Sequence, residues 1–307
     1  VLIAAAIDRC FMAGLAYFLG LSRIGATVIR GGSSSIAVLA DLVRYQRPSV
    51  LIGVPSLLLT LAERLRADGF DPASAGIKGI VCIGEPVRTS ELKLSALGRS
   101  LAGNWGARVY GTYASTEMAA TFADCPQGCG GHLPAGLLAV EIVDETGRVL
   151  SPGQAGEVVA TPLQVTGMPL LRFRTGDIAT LHDDPCCCGR KTFRLGPVLG
   201  RKNQMLKFRG TTLFPPAIFS ALQELPGVQG YYLEVFSDFE LSDRIRVVVG
   251  VGDADIDAAT IEEKIVSRTR VKPEVVLAPP AEVQKKTVQE SKRKPVTFFD
   301  YREQPAT

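Results

Sequence analysis

From Val1 to about Gly111, segments with the apolar period of a helix alternate with short β-branched runs, a pattern that leaves few folds open. Helical periodicity over residues 9–24 leads to the run 26–29, and a helix over 34–44 leads to 49–53. Pro55 opens a third helix that runs to Ala67, at the first-turn position where its missing N–H costs nothing. The run 79–83, a helix near 91–101 and a strand over 107–110 follow. Repeated alternation predicts a largely parallel sheet with helices on its faces, and ligands of such sheets gather at the carboxyl ends of the strands.

Beyond Leu137 the pattern changes to short strands of antiparallel character, 138–144 and 156–161 around the turn Glu145-Thr146-Gly147. Beyond Gly210, Pro215 and Pro216 start a helix to Leu225, strands are expected near 231–236 and 245–251, and a helix over 258–269 precedes a polar tail. The fold class expected is therefore α/β. A partial large domain over 1–200 combines a mainly parallel sheet with a small β subdomain at about 137–200, and a smaller α+β domain fills 201–307.

At 307 residues, with 46% hydrophobic and 21% charged residues, the chain can build two cores. A net charge of +3 is too weak to argue for nucleic acid, and Lys292-Arg293-Lys294 reads first as solvated tail. The uninterrupted apolar run 10–21 covers only about half a bilayer, so a core helix is expected and neither a membrane span nor a signal peptide. Seven cysteines, three of them consecutive, make a poor disulfide framework; reduced thiols or metal ligands in the cytoplasm fit better.

Four stretches carry chemistry. Gly84-Glu85-Pro86 follows a strand and is either a ligand-lining turn or a simple Gly-Pro turn. In Tyr113-Ala114-Ser115-Thr116-Glu117, a hydroxyl beside a carboxylate at a loop-to-helix junction can hold a phosphate oxygen and its Mg²⁺; helix capping by Ser115 or Thr116 is the bland alternative. Arg174-Thr175-Gly176-Asp177 makes a tight turn that presents a carboxylate, which either takes both hydroxyls of a ribose or satisfies its own backbone. Cys125, Cys129 and His132 form one soft-ligand cluster and Cys186, Cys187 and Cys188 another, read as two halves of a zinc site or as buried free thiols.

Taken in order, the Tyr113–Glu117 motif, Thr175-Gly176-Asp177, the Cys186–Cys188 run and Gly200-Arg201 resemble the adenylate-forming (acyl-activating) superfamily, in its phenylacetate–coenzyme A ligase-like branch. The resemblance implies ATP-dependent activation of a carboxylic acid, with an aryl acid such as phenylacetate expected, to an acyl-adenylate and AMP-forming transfer to coenzyme A. It implies that Gly84, Glu85 and Pro86 lie along the adenine, with Tyr113 nearby, that Thr116 contacts phosphate and Glu117 holds Mg²⁺, and that Asp177 takes the ribose hydroxyls. Arg201 would contact nucleotide, Asn203 would be the swivel where the family more often has Asp or Lys, and Lys294, with Lys292 second, would serve adenylation. Lys207 and Gly210 would lie near the thiol channel. The branch carries a Cys seven residues before a His and then Cys-x-Cys-Gly, which selects Cys125, His132, Cys186 and Cys188 for structural Zn²⁺, with Cys129 competing for the His position.

The family's Thr-Gly-Thr-x-Gly-x-Lys phosphate loop has no counterpart; Arg30-Gly31-Gly32-Ser33-Ser34-Ser35 has the composition but neither the order nor the position. The chain is therefore expected to lack its N-terminal portion and to be incomplete as a catalyst. The partners expected are a carboxylic acid and coenzyme A, without nucleic acid or membrane, and a homodimer is an open form. Two rivals remain: an adenylation enzyme that loads a carrier protein, and a catalytically silent, zinc-stabilised fragment.

Overall fold

The computed structural model describes residues 1–7, 12–208, 211–237, 243–252, 256–289 and 295–302. The chain divides into two units, Val1–Val198 and Leu199–Thr307.

In the first unit the strands are β1 (Leu2–Ala4), β2 (Ile29–Arg30), β3 (Val50–Gly53), β4 (Gly79–Cys82) and β5 (Arg108–Ser115), interleaved with helices α1 (Met12–Arg23), α2 (Ile36–Gln46), α3 (Pro55–Ala67) and α4 (Ala96–Trp105). These strands run parallel in the order β2-β1-β3-β4-β5. The expected α/β class is the one observed. Both faces are apolar: Leu2, Leu51, Leu58, Leu61, Ile80 and Trp105 belong to one core and Ile3, Ala5, Ile52 and Ile83 to the other.

Local chemistry sets the helix ends. Ser35 caps α2 by accepting from the Val38 N–H, and Pro55 is the first residue of α3. The fourth helix begins at Ala96, later than the expected 91, because Ser95 accepts from the Gly98 N–H and Arg88 pairs across to Leu94 in a β-bridge that occupies the preceding residues. The opening strand β1 was not anticipated. It is three residues long and buried throughout, so it shows no alternation.

The sheet then turns antiparallel through β6 (Ala120–Asp124), β7 (Gly131–His132), β8 (Leu138–Val143), β9 (Ala155–Pro162), β10 (Phe173–His182) and β11 (Arg194–Leu195), in the order β5-β6-β7-β11-β10-β9-β8. These strands curl over a core of Met118, Phe122, Leu138, Ile142, Val158, Ala179 and Leu195.

The second unit opens with β12 (Gly200–Arg201), a 3-10 turn over Lys202–Gln204 and the hairpin β13 (Leu206–Phe208) to β14 (Thr211–Leu213). Gly200 is held so close to Phe214 that a side chain at position 200 would overlap the Phe214 ring. Next come α5 (Pro215–Leu222), β15 (Val228–Ser237), β16 (Asp243–Val251), α6 (Ala258–Thr269), β17 (Glu274–Ala278), α7 (Pro280–Thr287) and β18 (Phe298–Asp300). The sheet order is β17-β16-β15-β18, and the core packs Ile218 and Leu222 of α5 and Ile261 and Ile265 of α6 on Leu233, Val235, Ile245 and Val247. What reads as a polar tail contains β17, α7 and β18; β17 is an edge strand with a mostly exposed pattern, so pairing with β16 rather than hydrophobic alternation defines it. Among the described residues, no helix is long and apolar enough to cross a membrane.

Candidate nucleotide site and metal centre

The site grows from the carboxyl ends of β4 and β5. Cys82, the last residue of β4, pairs with Gly111, and β5 continues beyond it to Ser115. Where β4 stops, Gly84 takes φ +75° and turns the chain, and the Glu85 carboxylate accepts from the Ser56 N–H (3.0 Å) and hydroxyl (2.9 Å). Glu85 thus caps α3, whose own N-cap residue, Val54, has no side-chain acceptor. The Gly84-Glu85-Pro86 turn is thereby fastened to the helix that follows β3. Thr112 donates to the Cys82 carbonyl at 2.7 Å and locks the exposed part of β5 to β4.

Asp177 is presented by a bulge rather than by the tight turn expected. Opposite β9, Arg174 pairs with Val159 and Ile178 with Glu157, so Thr175, Gly176 and Asp177 face Val158 alone. Gly176 takes φ +75°, Thr175 donates to the Val158 carbonyl at 2.9 Å, and the Asp177 N–H donates to Thr175 Oγ1 at 3.1 Å. The buried Glu157 carboxylate anchors the strand by taking Arg174 at 2.5 Å. The bulge aims Asp177 at Tyr113, whose hydroxyl donates to Oδ2 at 2.9 Å. The two carboxylate-bearing motifs read from the sequence therefore meet at their first and last residues.

Thr116 and Glu117 sit in an exposed four-residue turn that leads into β6 and not into a helix. Ser115 accepts from the Met118 N–H (3.2 Å) and Ala119 takes φ +52°, which closes a hairpin; the helix amides expected to face a phosphate are absent from this turn. In the second unit, Arg201 and Asn203 are exposed, and Asn203 lies in the 3-10 turn without the left-handed backbone that Asn tolerates. Lys207 lies on β13; Gly210, Lys292 and Lys294 lie outside the described residues.

The soft-ligand clusters come together. Cys125 directly follows β6, His132 sits in β7 paired to both β6 and β11, and Cys186 and Cys188 lie between β10 and β11. Both cysteine segments make the same turn: Gly128 N–H donates to the Cys125 carbonyl (2.8 Å) and Gly189 N–H to the Cys186 carbonyl (2.9 Å). The ligand atoms of Cys125, His132, Cys186 and Cys188 lie within 4.8 Å of one another, with Cys125 Sγ to Cys186 Sγ at 3.7 Å and Cys188 Sγ to His132 Nε2 at 3.4 Å. Tetrahedral zinc, with Zn–S of about 2.3 Å and Zn–N of about 2.0 Å, separates two sulfurs by about 3.8 Å and a sulfur from a nitrogen by about 3.5 Å, so the donor set fits that ion. Cys129 falls outside this group and lies instead with Cys186 and Cys187.

The electrostatics favour the metal-binding form at two of the four donors, His132 and Cys125, whereas at Cys188 the Arg190 N–H is outweighed by burial and the neighbouring thiols, which raise its pKa. Burial, aided by the positive charge of Arg190 and Arg194, lowers the His132 pKa and keeps the imidazole neutral. At Cys125 burial opposes ionisation, but N–H groups of Gln127 and Cys129 and the neighbouring thiols outweigh it and lower its pKa. Burial, followed by the adjacent Cys187, pushes Cys129 up to about 11.

Three supporting residues carry no motif. Thr192 Oγ1 lies 3.0 Å from His132 Nδ1, which leaves Nε2 facing the thiols. Arg194, almost fully buried, donates to the Cys129 carbonyl (2.6 Å) and the Asp184 carbonyl (2.9 Å) and so clamps one cysteine segment to the other. Asp124, next to Cys125, takes Arg88 Nε at 2.6 Å and the Gly111 N–H at 2.8 Å, while Arg88 also reaches the Leu92 and Val109 carbonyls. Asp124 therefore joins the metal-side turn to the segment after Pro86 and to β5 two residues before Tyr113. Only the proximity of Asp124 to a cysteine could have flagged any of them.

The profile of the AMP-binding enzyme family matches residues 3–167. The chain belongs to that family. This AMP-binding family member is 32% identical over 228 residues to the phenylacetate–coenzyme A ligase of Thermus thermophilus, covering 72% of this chain and 49% of that one. It is 29% identical over 231 residues to the phenylacetate–coenzyme A ligase of Escherichia coli, covering 73% and 51%. The chain thus spans about half the length of these curated relatives. Among solved structures, 2-hydroxyisobutyryl-CoA ligase in the postadenylation state with R3-HIB-AMP superposes with a TM-score of 0.84 at 23% identity, covering 98% of this chain and 65% of that one. ATP-bound MatB from Rhodopseudomonas palustris gives 0.68 at 19% identity, covering 90% and 56%. The family member therefore shares the fold of acyl-CoA ligases over nearly its whole length.

Proposed function

We propose that this chain is part of an acid–coenzyme A ligase that converts a carboxylic acid to an acyl-adenylate and passes the acyl group to the coenzyme A thiol. Family membership and two relatives named phenylacetate–coenzyme A ligase support the reaction, and their name makes an aryl acid the first substrate to try. The observation that carries the reading is the Tyr113–Asp177 hydrogen bond, made from β5, the strand that pairs with β4 ahead of the Gly84-Glu85-Pro86 turn.

In the first half-reaction a carboxylate oxygen of the acid attacks the α-phosphorus of ATP; the new O–P bond forms as the bond to pyrophosphate breaks. In the second, the thiol sulfur attacks the acyl carbon, the thiol proton is lost, and AMP leaves. Asp177, oriented by Tyr113, accepts from the ribose hydroxyls, and the turn at Gly84 lies along the base. Thr116 donates to phosphate. The exposed Glu117 carboxylate, with the phosphates of ATP, makes an oxygen donor set suited to Mg²⁺, which supplies charge neutralisation when bound. Arg201 contacts nucleotide, Lys294 assists adenylation, Lys207 and Gly210 border the thiol path, and Asn203 is the swivel. Cys125, His132, Cys186 and Cys188 hold zinc, with Cys129 displaced from the fourth position by His132. A closed four-ligand shell makes that ion structural.

The absence of a Thr-Gly-Thr-x-Gly-x-Lys segment favours a second reading, in which this chain alone is a silent zinc-stabilised module. ATP–pyrophosphate exchange with phenylacetate, benzoate and aliphatic acids, followed by chromatography of products with coenzyme A, separates the two. The assay is run on this chain and on the chain fused behind the N-terminal half of the Thermus thermophilus relative. Exchange and thioester formation by the fusion are expected; an inactive, folded fusion sinks the ligase reading. Adenylate formation without thioester points to a carrier protein as acceptor.

A further inference from the structure

Within the two soft-ligand clusters, Cys129 and Cys187 are left over when the four metal-directed ligands are set aside, and the fold brings them together. Cys129 and Cys187 come from different turns, yet their sulfurs lie within 4.8 Å of each other. Cys187 is the middle residue of Cys186-Cys187-Cys188; its neighbours are drawn inward as members of the ligand group, and it is exposed. Cys129 is half-exposed, its backbone is held by Arg194 on the Cys129 carbonyl at 2.6 Å, and its sulfur lies 3.6 Å from the Gln127 carbonyl in a weak hydrogen bond. Cys186 is the third sulfur of this group, but it is also one of the four zinc-directed donors. With Cys186 on a metal, Cys187 is the partner left to Cys129.

We propose that Cys129 and Cys187 are a redox-modification site, which a peroxide converts to a disulfide on the outside of the metal centre while the ligands are protected by the ion. The thiolate sulfur of Cys187 attacks one peroxide oxygen; the O–O bond breaks, the second oxygen leaves as hydroxide and takes up a proton as water, and Cys187 becomes a sulfenic acid. The sulfur of Cys129 then attacks the Cys187 sulfur, the S–O bond breaks, and the released hydroxide takes the Cys129 proton to give a second water. Two thiols lose two electrons to one peroxide. A disulfide closes at about 2.05 Å between sulfurs, so the two sulfurs have to draw together from within 4.8 Å. The link joins the same two segments that Arg194 clamps, so it staples the zinc turns covalently. The inference rests on the assignment of Cys125, His132, Cys186 and Cys188 as ligands.

The test uses the zinc-loaded chain, a few equivalents of hydrogen peroxide, alkylation of remaining thiols and peptide mass spectrometry, with elemental zinc measured on the same sample. A Cys129–Cys187 cross-link is expected with zinc retained, absent in C129S and in C187S; in C129S dimedone traps the Cys187 sulfenic acid. The same treatment after chelation is expected to redirect oxidation to Cys125–Cys186, the pair already at 3.7 Å. Full zinc content with Cys129 and Cys187 alkylated separately, or a cross-link that survives in C187S, overturns the disulfide. Zinc content below about half an equivalent instead overturns the ligand assignment, whatever the cross-link shows. Both serines replace non-ligand, partly exposed side chains, and thermal melts of the reduced variants matching the parent exclude misfolding as the cause.

Discussion

The Tyr113 hydroxyl lies 2.9 Å from Asp177 Oδ2, although β6, β7 and β11 separate their strands along the sheet. The antiparallel half has to curl back on itself for the two to meet, so this hydrogen bond ties the end of the parallel sheet to the bulge in β10. A hydrogen bond to a charged partner contributes about 1.5–3 kcal/mol, or roughly tenfold or more in binding when the partner holds ligand. Tyr113→Phe is therefore expected to weaken AMP binding about tenfold in calorimetry, and Asp177→Ala further. Unchanged affinity in both variants would remove Asp177 from the nucleotide site.

Gly176 is the residue that lets the bulge form, at φ +75°. A left-handed backbone costs a non-glycine residue about 1–2 kcal/mol. Gly176→Ala is expected to lower the unfolding free energy in urea by that amount and to weaken AMP binding, because the strand relieves strain by re-aiming Asp177. Loss of stability with intact binding would separate the bulge from the site.

Arg88 and Asp124 form a nearly buried ion pair, with 11% and 3% of their side chains exposed. Removing one partner of such a pair costs about 3–5 kcal/mol, since a charge is stranded. Arg88→Met is expected to destabilise the first unit by that amount and to speed zinc loss to a chelator, because Asp124 adjoins Cys125. Arg88→Met that melts as the parent does would show the pair to be dispensable.

Thr192 faces His132 Nδ1 at 3.0 Å. Partners that orient a ligating histidine typically matter by about 10–100-fold in metal affinity. Thr192→Val is expected to weaken zinc binding within that range in competition with a chromophoric chelator, with circular dichroism unchanged when zinc is saturating.

Glu224 has its pKa lowered by hydrogen bonds from Lys264, then Arg268, of α6. A carboxyl lower in the folded than in the unfolded chain stabilises the fold above its unfolded value near 4.5, and the contribution is lost as pH falls through the folded value. Arg268 is largely exposed, so the effect is small, under about 1 kcal/mol. Glu224→Gln is expected to narrow the difference between melts at neutral pH and at pH values below that range; an unaltered difference would rule Glu224 out.

The α/β alternation was legible because buried parallel strands and their covering helices differ in period, and Pro55–Ala67 and Ala258–Thr269 have the expected limits. Elements defined by pairing alone, such as β1 and β17, were not. The candidate metal donors were readable because sulfur and imidazole occur at few positions, and Cys125, His132, Cys186 and Cys188 do converge. Arg194, Arg88 and Thr192 were invisible, since an arginine or threonine becomes a clamp only through neighbours distant in sequence. The turn after Ser115 misled because Ser-Thr-Glu caps a reverse turn as readily as a helix, and only β6 pairing back on β5 decides between them.

The overlap that any side chain at Gly200 would make with the Phe214 ring has a bearing on how genetic screens of this chain should be interpreted. Loss of function at position 200 would report broken packing within the smaller unit, so a damaging allele there carries no information about adenylate chemistry. Its neighbour Arg201, exposed on β12, is the position that the proposed function assigns to nucleotide, so a phenotype there would test that assignment.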